Sequence, residues 1–107
     1  MARTRIKKKI KTLVDSYLND LEGRGLEIQA AYIFGSQARG TAHDASDVDV
    51  CIISPKFGSP HRALQWLWRE KPLFFSQIEP VGYSKKEFSE YRQPLVAEIK
   101  KDGIRIR

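Results

Sequence analysis

Apolar residues early in the chain, Ile6, Ile10, Leu13, Val14, Tyr17, Leu18 and Leu21, recur every three or four positions. That spacing predicts one amphipathic helix from about residue 4 to 22, ended near Gly23 and Gly25. The period then changes. Residues 28–34 (IQAAYIF) and 47–53 (DVDVCII) are short runs rich in β-branched and aromatic side chains, predicting two strands joined by a loop of glycine and small polar residues. Ser59-Pro60 offers an N-cap and a first-turn proline for a helix running to about Lys71, before Pro72. Leu73 to Glu79 predicts a third strand that ends at Pro80. Ser84 and Glu87 have capping-box spacing and open another helical segment, Pro94 to Asp102 forms a last helix closed by Gly103, and Ile104 to Arg107 a short final strand.

This order predicts an α+β domain spanning residues 1–107, with helices packed mainly on one side of a small mixed β-sheet. No repeat, linker or low-complexity tract divides the chain, and 107 residues suffice for one modest core. The longest apolar run falls well short of the roughly 20 residues of a membrane span, and the first residues lack the apolar core of a secretory leader, so no membrane association and a cytoplasmic location are expected. Cys51 is the single cysteine, which excludes an internal disulfide and a cysteine-based zinc site, and fits a small buried hydrophobe. The net charge of +6 suits an anionic ligand or acidic partner without choosing among nucleotide, nucleic acid and protein. Lys7, Lys8, Lys9 and Lys11 fall mostly on the wet side of the first helix, which favours a solvated face over nucleic-acid contact.

Candidate chemistry gathers between the first two strands. Alternation on a strand sends Asp47, Asp49 and Cys51 to one face and Val48, Val50 and Ile52 to the other, with the two aspartates about 7 Å apart by strand rise. Paired carboxylates on a half-buried face repel and resist desolvation unless cations or hydrogen bonds compensate them. A magnesium ion does this with one or two carboxylates plus substrate phosphates; a sheet rim facing water or basic side chains is the blander reading. Upstream, Gly35-Ser36 follows the first strand and offers backbone N–H groups and a hydroxyl where phosphate oxygens could sit, although Gly-Ser alone is often only a turn. His43, Asp44 and His61 have neither the spacing nor the fixed placement of metal ligands.

Taken together, Gly35-Ser36, ten intervening residues and Asp47-x-Asp49 resemble the signature of the DNA polymerase beta-like nucleotidyltransferase superfamily. The segments FGSQARG and SDVDV look like those of its minimal members, the MNT proteins, and the ending PLVAEIKKDGIRIR is similar to the usual close of such domains. The resemblance implies a polymerase beta-like palm fold and a third carboxylate on a neighbouring strand, for which Glu79 is the best placed candidate. Many relatives carry the shorter aspartate there, which bears directly on metal geometry.

It further implies a nucleoside triphosphate, with ATP as donor, bound through two Mg²⁺ ions. Gly35 and Ser36 would contact the terminal phosphates, Arg39 would neutralise phosphate charge or anchor the loop, and Asp47, Asp49 and Glu79 would be the metal-holding catalytic residues. AMP would pass to an acceptor hydroxyl. Minimal MNT proteins typically accompany a HEPN-domain toxin, so the resemblance implies an antitoxin that adenylylates a tyrosine of its partner, within a homo- or hetero-oligomer that supplies the missing substrate contacts. A non-catalytic antitoxin that works by binding, and an RNA-binding module, are the alternatives. Leu64, Leu67 and Trp68 can share a core face of their helix, which leaves Trp66 offset as a candidate partner anchor, with a second core contact the blander reading.

Overall fold

The structure is a computed structural model that describes residues 6–90 and 93–107. Its elements are helix α1 (Lys8–Gly23), strand β1 (Ala30–Phe34), a single helical turn α2 (Ser36–Arg39), strand β2 (Val48–Ile53), helix α3 (Pro60–Arg69), strand β3 (Ile78–Tyr83), helices α4 (Lys85–Glu90) and α5 (Pro94–Asp102), and strand β4 (Ile104–Arg105). The expected start of the first helix at about residue 4 lies outside the described residues. The four strands form one mixed sheet in the order β3-β2-β1-β4. β1 runs antiparallel to β2 and to β4, whereas β2 and β3 are parallel and α3 lies between them in the chain, as a parallel pair requires a crossover.

Each face of this sheet has its own core. Ile10, Val14, Tyr17, Leu18 and Leu21 of α1 and Ala63 and Leu67 of α3 pack with Ala31, Ile33, Val48, Val50 and Ile52. On the opposite face, Phe34, Cys51, Ile53 and Tyr83 pack with Val96 and Ile99 of α5, and Phe88 of α4 lies against them. The α+β fold and mixed sheet are therefore those expected. The two longer helices share one side, and the shorter α4 and α5 extend the cover to the other. Full burial of a side chain such as Ile33 on one face or Ile99 on the other contributes about 1.5–3 kcal/mol, so both faces help hold the sheet together.

The third strand differs from expectation. Leu73–Phe75 is a 3-10 turn in which Leu73 and Phe74 are 92% and 76% exposed, and β3 begins only at Ile78 and passes through Pro80. Pairing with β2 explains both. Residues 78–83 match 48–53 one for one, and Val48 N–H donates to Gln77 O while Ser54 N–H donates to Tyr83 O, so odd-numbered residues of β3 turn their backbone toward β2. Pro80 therefore turns its ring nitrogen to the open edge, where no ladder bond is lost. That edge is covered by α3: Trp68 Nε1 donates to Pro80 O at 3.1 Å and Lys71 Nζ to Ile78 O at 2.7 Å.

The capping box is present, with Ser84 N–H donating to Glu87 Oε1 at 3.0 Å and Glu87 N–H to Ser84 Oγ at 3.2 Å. Ser59 likewise caps α3 through Arg62 N–H. Tyr17 is fully buried, yet its hydroxyl meets no hydrogen-bond partner among the described residues, and burial pushes its pKa upward. Leaving such a group unpaired costs roughly 1–3 kcal/mol, so Tyr17→Phe is expected to raise stability by ~1 kcal/mol. Paired denaturant melts of the two proteins check this; a clear loss of stability would mean that the hydroxyl is bonded in solution.

Candidate active site

Register alone brings the acidic side chains together. Phe34 at the end of β1 stands opposite Asp49, and Asp49 stands opposite Glu79, so one row crosses three strands. Asp47 precedes β2 by one residue and shares the parity of Asp49. Glu79 is thus the second residue of β3, inside the sheet, rather than the residue that closes a strand as its position before Pro80 predicts.

Gly35 follows Phe34 directly and begins the short turn α2. Its backbone lies at φ 72°, ψ −150°, a region essentially restricted to glycine, and a Cβ built there would run into Asp49 Oδ2. Glycine at position 35 is therefore required twice over: for chain direction, and for the space occupied by a carboxylate. Ala38 and Arg39 N–H donate back to Gly35 O, both at 3.1 Å, which leaves the N–H groups of Ser36 and Gln37 in the first turn without intrahelical carbonyls. Gly40, at φ 78°, ends the turn.

The carboxylates are electrostatically linked. Glu79 is pushed up to about 6, first by hydrogen bonding with Asp47, then by burial and by the charges of Asp47 and Asp49. Asp49 is also raised, chiefly by burial, with Asp47 and Glu98 adding like charge; Glu79, as hydrogen-bond donor, and Arg39 oppose the shift. Without a cation, a proton on Glu79 relieves the repulsion. A raised carboxyl pKa means that the folded chain binds more protons than the unfolded one. Its stabilising contribution is complete below the ordinary value of 4.5 and is lost as pH rises through about 6. Melts of metal-free protein across this window are expected to show stability falling with pH, and Glu79→Gln to flatten that slope; an unchanged slope would remove Glu79 as its origin.

Several neighbours escape sequence reasoning. Lys71 Nζ lies 3.9 Å from the centre of the Trp68 ring and donates to the carbonyl before Glu79; burial lowers its pKa, while Glu79 and Asp47 oppose the shift. Gln77 Nε2 donates to Ser46 O at 2.9 Å and so ties the loop entering β2 to that entering β3. Arg39 pairs with Glu98 of α5 at 3.1 Å, a placement that anchors the loop while leaving the guanidinium half-exposed. Gln77–Ser46 and Arg39–Glu98 join segments distant in the chain, and the reach of Lys71 to Ile78 depends on where β3 lies, so helix or strand periodicity marks none of them.

Beside the acidic row opens a cavity of about 500 Å³ walled by Phe34, Leu64, Trp68 and Leu95, with Asp49 and Glu79 among its lining residues. Leu64 and Trp68, 39% and 44% exposed, line this cleft rather than the core face expected of them. Trp66 has the converse fate, partly buried against the core and against Phe57, and the most exposed large apolar side chains among the described residues are Leu73 and Phe74. Buried Cys51, its pKa pushed up to about 12 by desolvation, is a packing residue.

Among the described residues no three His, Cys, Asp or Glu side chains stand as a ready-made metal cage. The all-oxygen set of Asp47, Asp49 and Glu79 nevertheless fits magnesium, which usually takes one or two protein carboxylates and completes its shell with phosphate oxygens and water. The profile of the nucleotidyltransferase domain family matches residues 14–106. A crystal structure of an inferred nucleotidyltransferase from Sulfolobus solfataricus superposes with a TM-score of 0.65 at 17% identity, covering 91% of this chain and 78% of that one. No curated protein matches the sequence.

Proposed function

Because the chain belongs to the nucleotidyltransferase domain family, we propose that it transfers AMP from ATP to the hydroxyl of a tyrosine on a HEPN-domain partner, and thereby acts as that toxin's antitoxin. The observation that carries the reading is the row of Asp49 and Glu79, with Asp47 beside it, facing the backbone of Gly35. Magnesium bound there with the triphosphate would neutralise the phosphates and make the acceptor hydroxyl more acidic. Asp47 and Asp49 would hold it. The N–H groups and hydroxyl at Ser36 would receive the terminal phosphates, with Gly35 allowing their close approach. Glu79, opposite Asp49 in the row, is placed to accept the hydroxyl proton. The acceptor oxygen bonds to the α-phosphorus as the bond from that phosphorus to the β-phosphate oxygen breaks, giving an AMP ester and pyrophosphate.

The apolar cleft supports an aromatic acceptor, since its walls suit a phenol ring whose hydroxyl reaches the carboxylates. Leu73 and Phe74 offer the partner an apolar contact. The test is to incubate the protein with a candidate HEPN-domain partner and α-labelled ATP, then to map the label by mass spectrometry. Label on a tyrosine, absent when that tyrosine is phenylalanine, is expected. The longer glutamate at position 79, with no ready-made cage among the described residues, favours one second reading, an antitoxin that works by binding alone. Equal toxin inhibition by wild type and Asp49→Asn, with no label transferred, would establish that reading instead.

A further inference from the structure

A larger cavity, of about 770 Å³, opens at the other end of the sheet from the carboxylates. It is built where the turn after α1 meets the loop after β2 and the outer surface of α3. Asp47 and Asp49 stand at the start of β2, whereas Lys56 and Phe57 follow its end, so strand rise puts the two places roughly 20 Å apart. Four of its lining residues, Arg24, Lys56, Arg62 and Arg69, are cationic, and none is acidic. Arg24 is partly compensated by Asp20 at 2.9 Å and Glu70 at 3.6 Å, and Arg69 by Glu70 at 3.4 Å. No salt bridge engages Lys56 or Arg62 among the described residues, although each adds to a chain that already carries a net charge of +6.

The same cavity is lined by Trp66, held by Phe57 at a ring separation of 6.5 Å. Its volume is far beyond what a lone inorganic anion needs and within the range of small-molecule and cofactor sites. Uncompensated cations around a fixed aromatic ring suit a ligand that carries both negative charge and a flat π-face. An acidic peptide supplies only the first of these. We infer that this cavity is a second binding site, separate from the carboxylate row, for a nucleoside phosphate whose base stacks on Trp66 while Lys56 and Arg62 hold its phosphate. The ligand is either a free nucleotide or one unit of a single-stranded nucleic acid.

Titration in EDTA isolates this site, because the carboxylate row without a divalent ion repels phosphates. Trp66 emission is followed in a Trp68→Phe background, and calorimetry of the wild-type chain provides a second readout. AMP and a short oligoadenylate RNA are the probes. Saturable quenching is expected, weakened at least tenfold in Lys56→Ala/Arg62→Ala, kept in Asp49→Asn and largely restored by the conservative Arg62→Lys in place of Arg62→Ala. Added salt should weaken binding more steeply in the wild type than in the double variant. Response to both probes identifies a free nucleotide as sufficient, and response to RNA alone identifies a unit within a chain. Silence of both probes by fluorescence and calorimetry overturns the inference, as does equal binding by the double variant. So does binding of polyglutamate where AMP and RNA do not bind, which would make the cavity an acidic-peptide surface.

Discussion

Asp49→Asn is expected to lower nucleotidyl transfer by roughly 10³-fold while leaving the protein folded, on the scale of losses seen when a group that stabilises transition-state charge is removed. Asparagine matches aspartate in size, so it keeps the space that Gly35 vacates for the side chain while removing the charge and turning one carboxylate oxygen into an amide donor. Asp49 is the member of the row that burial penalises most clearly, and Asp47 and Glu98 add like charge around it. In the metal-free protein its ionised form is therefore less favourable in the folded than in the unfolded chain at neutral pH. The variant is accordingly expected to melt no lower than the wild type at pH 7. Initial rates with separate kcat and KM, together with thermal melts by circular dichroism, check the pair of claims. A variant that loses activity only because it unfolds would contradict the assignment.

Gly35→Ala should act in the opposite way, damaging stability and activity together. The backbone at φ 72°, ψ −150° costs a residue with a Cβ about 1–3 kcal/mol, and the new methyl group must also displace Asp49 Oδ2. A loss of about 2–4 kcal/mol is expected, which lowers the melting temperature by more than 8 °C at the usual scaling for a domain of this size. Because the methyl pushes on Asp49, residual folded protein should also transfer nucleotide at least 10²-fold more slowly. Gly25→Ala provides the control: its φ of 97° is also positive, yet a Cβ there meets nothing within 4 Å, so it carries backbone strain without touching the acidic row. Denaturant melts and activity per folded molecule separate the two effects. Equal rates per folded molecule for the two variants would mean that the contact with Asp49 is immaterial.

The sequence was informative where structure is local. Helical spacing located α1, the capping box located α4, and strand alternation correctly divided Asp49 and Cys51 from Val48, Val50 and Ile52, which pack on the opposite face. It misled where partners decide. LFF reads as strand, yet Leu73 and Phe74 lie exposed, because pairing with β2 selects residues 78–83 instead. Pro80 reads as a stop, yet the edge position of β3 accepts it. On α3, helical spacing puts Trp68 with Leu64 and Leu67 on the core face and leaves Trp66 offset, and the structure reverses the two tryptophans. The carbonyl of Pro80 draws Trp68 to the sheet edge, and Phe57 draws Trp66 inward. The reach of Lys71 to the Ile78 carbonyl and the pair Arg39–Glu98 likewise depend on where the other segment lies.

In the proposed reaction the row of Asp47, Asp49 and Glu79 works on the α-phosphorus of a nucleoside triphosphate. The position of the transferred label tests it most directly: parallel reactions with α-labelled and γ-labelled ATP in magnesium, using wild type and Asp49→Asn. Label on the acceptor from the α-phosphate alone, with pyrophosphate released and both products lost in the variant, is the predicted result. Transfer of the γ-label, or α-label transfer that persists in Asp49→Asn, would contradict it.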